Sequence, residues 1–156
     1  MRLATVITVS DRSARGDRAD VSGPVAVGIL RDAGWQCEAV VIPDGAASVE
    51  AALRAAVQGG SRLVITSGGT GVGPRDETPE GTLRMLEKQL PGIAEELRRV
   101  GAAAKPAGML SRGVAGVSAG ALVVNLPGSP AAAASGVPVV LSVAAHVIDQ
   151  LAGGDH

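Results

Sequence analysis

The hydrophobic positions of this chain come mostly in short apolar runs separated by glycine and proline punctuation. Leu3 to Val9 is a β-branched run and predicts a buried strand. A polar loop follows from Ser10 to Asp20, with Gly16 inside it. Ser22-Gly23-Pro24 opens a helix running to about Ala33, and Gly34 ends it, as a glycine just past a helix commonly does. Gln36 to Ile42 is a second strand, and Pro43-Asp44-Gly45 a turn. Ser48 is placed to cap a helix that continues to about Val57, closed by Gly59-Gly60. Leu63 to Thr66 is the third strand.

Three strand–loop–helix units in about 80 residues predict an α/β fold. The expectation is a three-layer α/β/α sandwich around a mostly parallel central sheet. In such sheets the ligand crevice lies beyond the carboxyl ends of the strands. Further along, Thr78 to Leu90 reads as a helix with Pro79 in its first turn, and Pro91-Gly92 breaks it. A helix from about Ile93 to Val100 follows. Residues 107–118 resist assignment. Ala121 to Asn125 is a fourth strand, ending in the turn Leu126-Pro127-Gly128-Ser129-Pro130, and Val137 to Leu151 is an apolar final helix. No internal repeat or linker is visible. The organisation expected is one domain over residues 1–152 with a short tail, 153–156.

Composition narrows the function. The chain has 156 residues and a net charge of −1, with neither Phe nor Tyr and a single tryptophan, Trp35. It offers no electrostatic footprint for nucleic acid or anionic membrane and no stacking platform. Cys37 is the only cysteine, which excludes a disulfide framework within the chain; it reads as a small buried hydrophobe. Met1 to Val9 is too soon interrupted for a signal peptide, and no apolar run is expected to reach the ~20 residues that span a bilayer. A soluble cytoplasmic protein is the expectation.

The chemistry concentrates in residues 66–80, Thr-Ser-Gly-Gly-Thr-Gly-Val-Gly-Pro-Arg-Asp-Glu-Thr-Pro-Glu. The third strand runs into Gly68, Gly69, Gly71 and Gly73, followed by Arg75, Asp76 and a helix start at Thr78-Pro79-Glu80. Glycines let backbone N–H groups approach an anion, and a helix N-terminus adds positive potential. An acid inside such a loop points to a metal ion as well. Asp11 and Asp44 follow the first two strands, so parallel strands would bring them to the same edge as Asp76. Strand-end carboxylates hold Mg²⁺ together with phosphate oxygens. A Walker loop needs Gly-Lys-Ser/Thr, whereas Gly73 precedes Pro74-Arg75. A dinucleotide fingerprint follows the first strand with another spacing. His146, on the last helix, and His156, at the end, read as poor candidates for a base. Glu95-Glu96 with Arg98-Arg99 reads as a solvated helix face. Phosphoryl or nucleotidyl transfer is what remains, since positioning and charge neutralisation dominate there.

These motifs resemble the molybdopterin adenylyltransferase family of molybdenum cofactor biosynthesis, over nearly the whole chain. The resemblance runs through Ser10-Asp11-Arg12, Gly16, Asp20, Ser22-Gly23-Pro24, Ile42-Pro43-Asp44, Gly68-Gly69-Thr70-Gly71, Arg75-Asp76, Thr78-Pro79-Glu80, Ser111-Arg112 and Asn125-Leu126-Pro127-Gly128. It implies adenylylation of the molybdopterin terminal phosphate by Mg-ATP with release of pyrophosphate. It also implies a three-layer fold, a homotrimer, and hand-off of the product to a molybdenum insertase. The matched acids, Asp44 and Asp76, become the catalytic residues and the Mg²⁺ ligands. Gly68, Gly69, Thr70, Gly71 and Arg75 would wrap the nucleotide, with Asp11, Asp20, Ser22 and Gly23 at its mouth. Thr78, Ser111, Arg112, Asn125, Pro127, Gly128 and Ser129 would meet molybdopterin.

Two departures stand out. Gly45 occupies a position where the family often has a second acid, and Ala131 one where some members carry lysine. The alternative to an enzyme is a catalytically idle paralogue that binds molybdopterin or an assembly partner of the same pathway.

Overall fold

The computed structural model describes residues 2–155; the part of the predicted tail at His156 lies outside them. Six strands form one sheet in the order β2–β1–β3–β6–β5–β4. The four central and left-hand strands, β1 (Leu3–Val9), β2 (Gln36–Ile42), β3 (Leu63–Ser67) and β6 (Ala121–Leu126), run parallel. β5 (Ala115–Ser118) runs antiparallel to β6, and the two-residue β4 (Lys88–Gln89) antiparallel to β5. The mostly parallel sheet expected from the alternating pattern is what forms.

Strand alternation splits the core in two. In register, Val6, Ile65 and Val124 line one face with Ala4, Leu63 and Leu122. Helices α2 (Ser22–Asp32), α5 (Pro91–Ala104) and α6 (Pro130–Leu151) cover that face. Ile7, Val64 and Val123 point the other way, against Val49 and Leu53 of α3 (Ala46–Gln58) and Met85 after α4 (Thr78–Leu83). All twelve of the largest fully buried side chains are aliphatic, which suits strands covered on both faces. Cys37 and Trp35 are buried in the first core as small and large hydrophobes; the Arg2 guanidinium lies 5.8 Å from the Trp35 ring centre.

Several elements differ from the sequence expectation. The loop after β1 contains a single helical turn, α1 (Asp11–Ala14), capped by Ser10 Oγ, which accepts from Ser13 N at 3.2 Å. Ser48 does not cap α3. That helix begins at Ala46, whose N–H donates to Glu77 Oε2 at 3.2 Å, while Ser48 Oγ donates back to the Pro43 carbonyl at 2.7 Å. The helix expected through Leu90 stops at Leu83. Glu87 N and Leu90 N donate instead to the carbonyls of Val117 and Ala115 at 2.9 and 2.8 Å, so edge pairing overrides the helical propensity of residues 84–90. Residues 107–118 divide into the end of a short 3-10 segment, Pro106–Leu110, and β5.

The last helix starts seven residues early, because Ser129 Oγ accepts from Ala132 N at 3.0 Å and Pro130 fits the first turn. It therefore reaches 22 residues and is apolar enough, by length and composition alone, to cross a bilayer, against the expectation that no run would be. Its stripe Ala133, Gly136, Val137, Val140 and Ala144 is buried, in a helix packed against α2, α5 and β6.

One buried amide joins β6, β3 and α4 near the carboxyl ends of the parallel strands. Asn125, 3 % exposed, donates from Nδ2 to Thr66 Oγ1 at 2.9 Å and to Thr82 Oγ1 at 3.0 Å. Its Oδ1 accepts from Val114 N at 3.1 Å. Asn125→Ala strips two buried hydroxyls and one half-buried N–H of this partner, so it should lower unfolding free energy by about 1–3 kcal/mol. Urea unfolding checks this: the midpoint falls at constant slope, and an unchanged midpoint would refute the linking role of the amide.

Candidate functional site

Parallel strands bring four connections to one edge: Ser10–Asp11 after β1, Pro43–Asp44 after β2, Gly68–Gly71 after β3 and Pro127–Ser129 after β6. The glycine loop is set by contacts that leave no room for side chains. Gly68 and Gly69 have φ of +107° and +70°. A Cβ on Gly68 would run into the Val9 carbonyl, and one on Gly69 into Thr78 Oγ1.

The carbonyl groups of this loop are tied away one after another. Gly68 O accepts from Thr78 Oγ1 at 2.9 Å and Gly69 O from Thr78 N at 3.1 Å. Thr70 O accepts from Arg112 N, and Gly71 O from Arg112 Nε, both at 2.8 Å. Gly73 O accepts from Asp76 N at 3.0 Å and Asp76 O from Arg112 Nη2 at 2.8 Å. Among the described residues the N–H groups of Gly69, Thr70 and Gly71 have no protein acceptor. A run of unpartnered N–H groups beside tethered carbonyls is an anion-binding nest.

A cavity of about 500 Å³ opens over this loop. Gly68, Gly69, Thr70 and Gly71 line it, as do Asp44 and Asp76. Asp20, Ser22, Ser111, Pro127 and Gly128 complete the predicted residues in its wall. A second, more apolar cavity of about 380 Å³ adjoins it between α5 and α6, and Ser111, Pro127 and Gly128 are common to both. Asn125 and Ser129 line only the second.

Five predicted residues line neither cavity, and four of them brace the site. Thr78 is fully buried beneath the loop. Arg75 forks onto Asp11, with Nε to Oδ2 at 3.1 Å and Nη2 to Oδ1 at 3.3 Å, and donates to Asp44 O at 3.0 Å. That guanidinium holds the Asp11 carboxyl below the usual carboxylate range. Arg112 forks onto Glu80 at 2.8 and 3.1 Å and holds the Glu80 carboxyl down likewise. The fifth, Gly23, donates its N–H to Asp20 Oδ1 at 3.0 Å, while Asp20 Oδ2 accepts from Thr8 Oγ1 at 2.8 Å. Asp20 thus faces the cavity with both oxygens already bonded.

Asp44 and Asp76 are different. Asp44 Oδ2 accepts from Asp11 N at 2.9 Å, and Asp76 Oδ2 from Gly73 N at 2.9 Å; the second oxygen of each has no protein donor among the described residues. Burial pushes the Asp44 carboxyl up, and the neighbouring Asp11 and Asp76 charges add to the rise. An added cation would relieve that cost. The loop comes close enough that a Cβ on Gly69 would lie 3.2 Å from Asp44 Oδ1, and one on Gly71 3.0 Å from Asp76 Oδ2. No group of three or more metal-ligating side chains occurs among the described residues. Two carboxylates beside a phosphate nest fit Mg²⁺, which takes one or two carboxylates and fills its remaining positions with phosphate oxygens and water.

Sequence reasoning missed Arg18, the one cationic side chain in the wall of the larger cavity, which has no hydrogen-bond or ion-pair partner among the described residues. Its only signal was a charge two residues before Asp20. Val21 and Leu110, exposed apolar residues at the same wall, were missed as well. His146 is exposed on α6 and lies 2.9 Å from Gln150 Nε2, far from any role at the loop.

Comparisons with known proteins show the family and the fold. The family model described as "Probable molybdopterin binding domain" matches residues 5–146. The molybdenum cofactor biosynthesis bifunctional protein of Synechococcus elongatus is 40% identical over 98% of this chain, which spans 48% of that protein. The chain spans about half the length of the first curated relatives it matches. The molybdopterin adenylyltransferase of Pyrococcus furiosus is 34% identical over 92% of this chain and 87% of its own length. The solved structure of the molybdopterin biosynthesis Mog protein from Mycobacterium ulcerans superposes with a TM-score of 0.91 at 42% identity, covering 97% of this chain and 99% of that one. With the family model matching most of its length, the chain belongs to the molybdopterin-binding domain family of molybdenum cofactor biosynthesis.

Proposed function

We propose that this protein is a Mg²⁺-dependent nucleotidyltransferase that adenylylates the terminal phosphate of molybdopterin. The observation that carries the reading is one cavity containing both a row of unpartnered loop N–H groups and the two half-free carboxylates, Asp44 and Asp76. Relatives named molybdopterin adenylyltransferase supply the substrate.

In this mechanism an oxygen of the molybdopterin phosphate attacks the α-phosphorus of ATP. A new P–O bond forms, the bond to the β-phosphate oxygen breaks, and pyrophosphate leaves with the electron pair. A phosphate monoester is largely ionised at neutral pH, so its oxygen needs no general base. That accords with a cavity wall without histidine among the described residues. The N–H groups of Gly69, Thr70 and Gly71 would receive the nucleotide's phosphates, and Asp44 and Asp76 would hold Mg²⁺. When bound, Mg²⁺ supplies charge neutralisation on the phosphate oxygens. Arg18, in the wall of the same cavity, provides a positive charge for substrate phosphate. Ser111, Pro127 and Gly128, shared by both cavities, place molybdopterin beside the nucleotide. Hand-off of the product to a metal-inserting activity is part of the proposal, supported by relatives named as bifunctional proteins of the pathway.

The test is purified protein with molybdopterin, ATP and Mg²⁺. Adenylylated pterin and pyrophosphate should appear together. Binding of molybdopterin without any turnover would favour the idle paralogue and overturn the enzymatic reading. Asp76→Asn keeps an oxygen for the Gly73 N–H but removes the charge. It should lower kcat by about 10²–10³-fold, with the thermal midpoint within about 4 °C of the parent; an active variant would remove Asp76 from metal binding. Arg18→Ala should raise KM for one phosphate-bearing substrate about 10-fold, and titrating ATP and molybdopterin separately identifies which.

A further inference from the structure

The family resemblance places Arg112 against molybdopterin, but its guanidinium is directed elsewhere. Four of its five N–H groups have protein acceptors: Nε donates to Gly71 O, Nη2 to Asp76 O and Glu80 Oε1, and Nη1 to Glu80 Oε2. Its own backbone N–H donates to Thr70 O at 2.8 Å. Its side chain lines neither cavity. We propose that Arg112 is a positioning residue: it holds the carbonyls of Gly71 and Asp76 outside the cavity, and so keeps the loop N–H groups turned to the substrate phosphates and the Asp76 carboxylate turned to the cation.

The contacts supply both an anchor and a load. The anchor is Glu80, in the first turn of α4. That helix is fixed from below, since Thr78 and Thr82 are fully buried and Thr82 Oγ1 accepts from Asn125. A two-point fork against a carboxylate sets the plane of the guanidinium, which a lysine ammonium cannot do. The load is the segment from Gly71 to Asp76, whose other ties are the Gly73–Asp76 turn and the Arg75 link to Asp11 and Asp44. Without Arg112, Thr70 keeps its backbone bond, but Gly71 O and Asp76 O lose their only donors among the described residues. Peptide planes at 71 and 76 are then free to rotate, and rotation turns carbonyl oxygens toward the phosphates.

The inference rests on the adenylylation reading, and the experiment separates the two. Initial rates are measured on the full chain for Arg112→Ala, Arg112→Lys, Glu80→Ala and the Glu80→Ala/Arg112→Ala double variant, varying Mg²⁺ and ATP. Arg112→Ala should lower kcat and raise the Mg²⁺ concentration for half-maximal rate, together about 10–100-fold. Arg112→Lys should recover little of this. Glu80→Ala should move both quantities in the same direction by less, and the double variant should be no worse than Arg112→Ala. A direct anion contact would give the reverse for Glu80→Ala, an unchanged or lower KM from the released guanidinium, and would overturn the proposal. So would activity that falls only with the folded fraction, at unchanged KM and Mg²⁺ dependence. If the parent protein itself forms no adenylylated pterin, the functional reading fails. Amide hydrogen exchange at residues 69–76 then decides the brace: faster exchange in Arg112→Ala supports it, and unchanged exchange overturns it.

Discussion

A loop presents its N–H groups to an anion only if its carbonyl groups are held elsewhere, and this constraint organises the ligand edge of the protein. Between Gly68 and Asp76 most carbonyl oxygens have a donor on the far side of the loop. The donors come from Thr78, Arg112 and the turn at Asp76. Thr78 and Thr82 lie under the loop, Asn125 holds Thr82, and Thr66 on β3 completes the bridge to the strand from which the loop departs. Loss of any tether would return a carbonyl dipole beside the unpartnered N–H groups, where it would repel an anion instead of stabilising it.

The same constraint accounts for the uneven use of charge. Arg75 and Arg112 sit near the cavity but are committed to Asp11 and Glu80 and to backbone carbonyls. Their exposed ion pairs contribute little to global stability, because solvent screens them and long side chains lose entropy to form them. Their value is geometric: each joins segments that the chain order keeps apart. Asp11 exchanges two bonds with Asp44, its N–H to Asp44 Oδ2 and its Oδ1 from Asp44 N, so the ends of β1 and β2 are locked together and Arg75 ties the glycine loop to both.

Legibility in the sequence followed the range of the interaction. β1 and β2 read with their observed ends, because continuous apolar runs bounded by polar and turn residues are a local signal. The glycine loop and its acids read well for a related reason: the chemistry of an anion nest needs consecutive residues. β4 and β5 did not read. Lys88–Gln89 has no strand composition of its own and exists as a strand through its bonds to Val117 and Gly116 across the edge. The start of α6 did not read, because the cap at Ser129 and the alanines after it carry the helix from Pro130 through Pro138, ahead of the apolar run that begins at Val137. The roles of the arginines were hidden for the plainest reason. Arg112 and Glu80 are 32 positions apart and Arg75 and Asp11 are 64 apart, so no periodicity links them.

Burial sets the division of labour among the carboxylates. Asp11 and Glu80 are held ionised by a guanidinium and have little left to offer a metal. Asp20 is saturated by Thr8 and Gly23. Asp44 is pushed toward the protonated form by burial and by the acids beside it, and one of its oxygens has no donor. A carboxylate kept under-satisfied in a cavity is costly to the folded protein, and a cation is the partner that reverses the cost. The residues that look most charged on the surface are therefore the framework, while the cavity groups without a protein partner among the described residues are one oxygen each of Asp44 and Asp76, the Arg18 guanidinium and three backbone N–H groups.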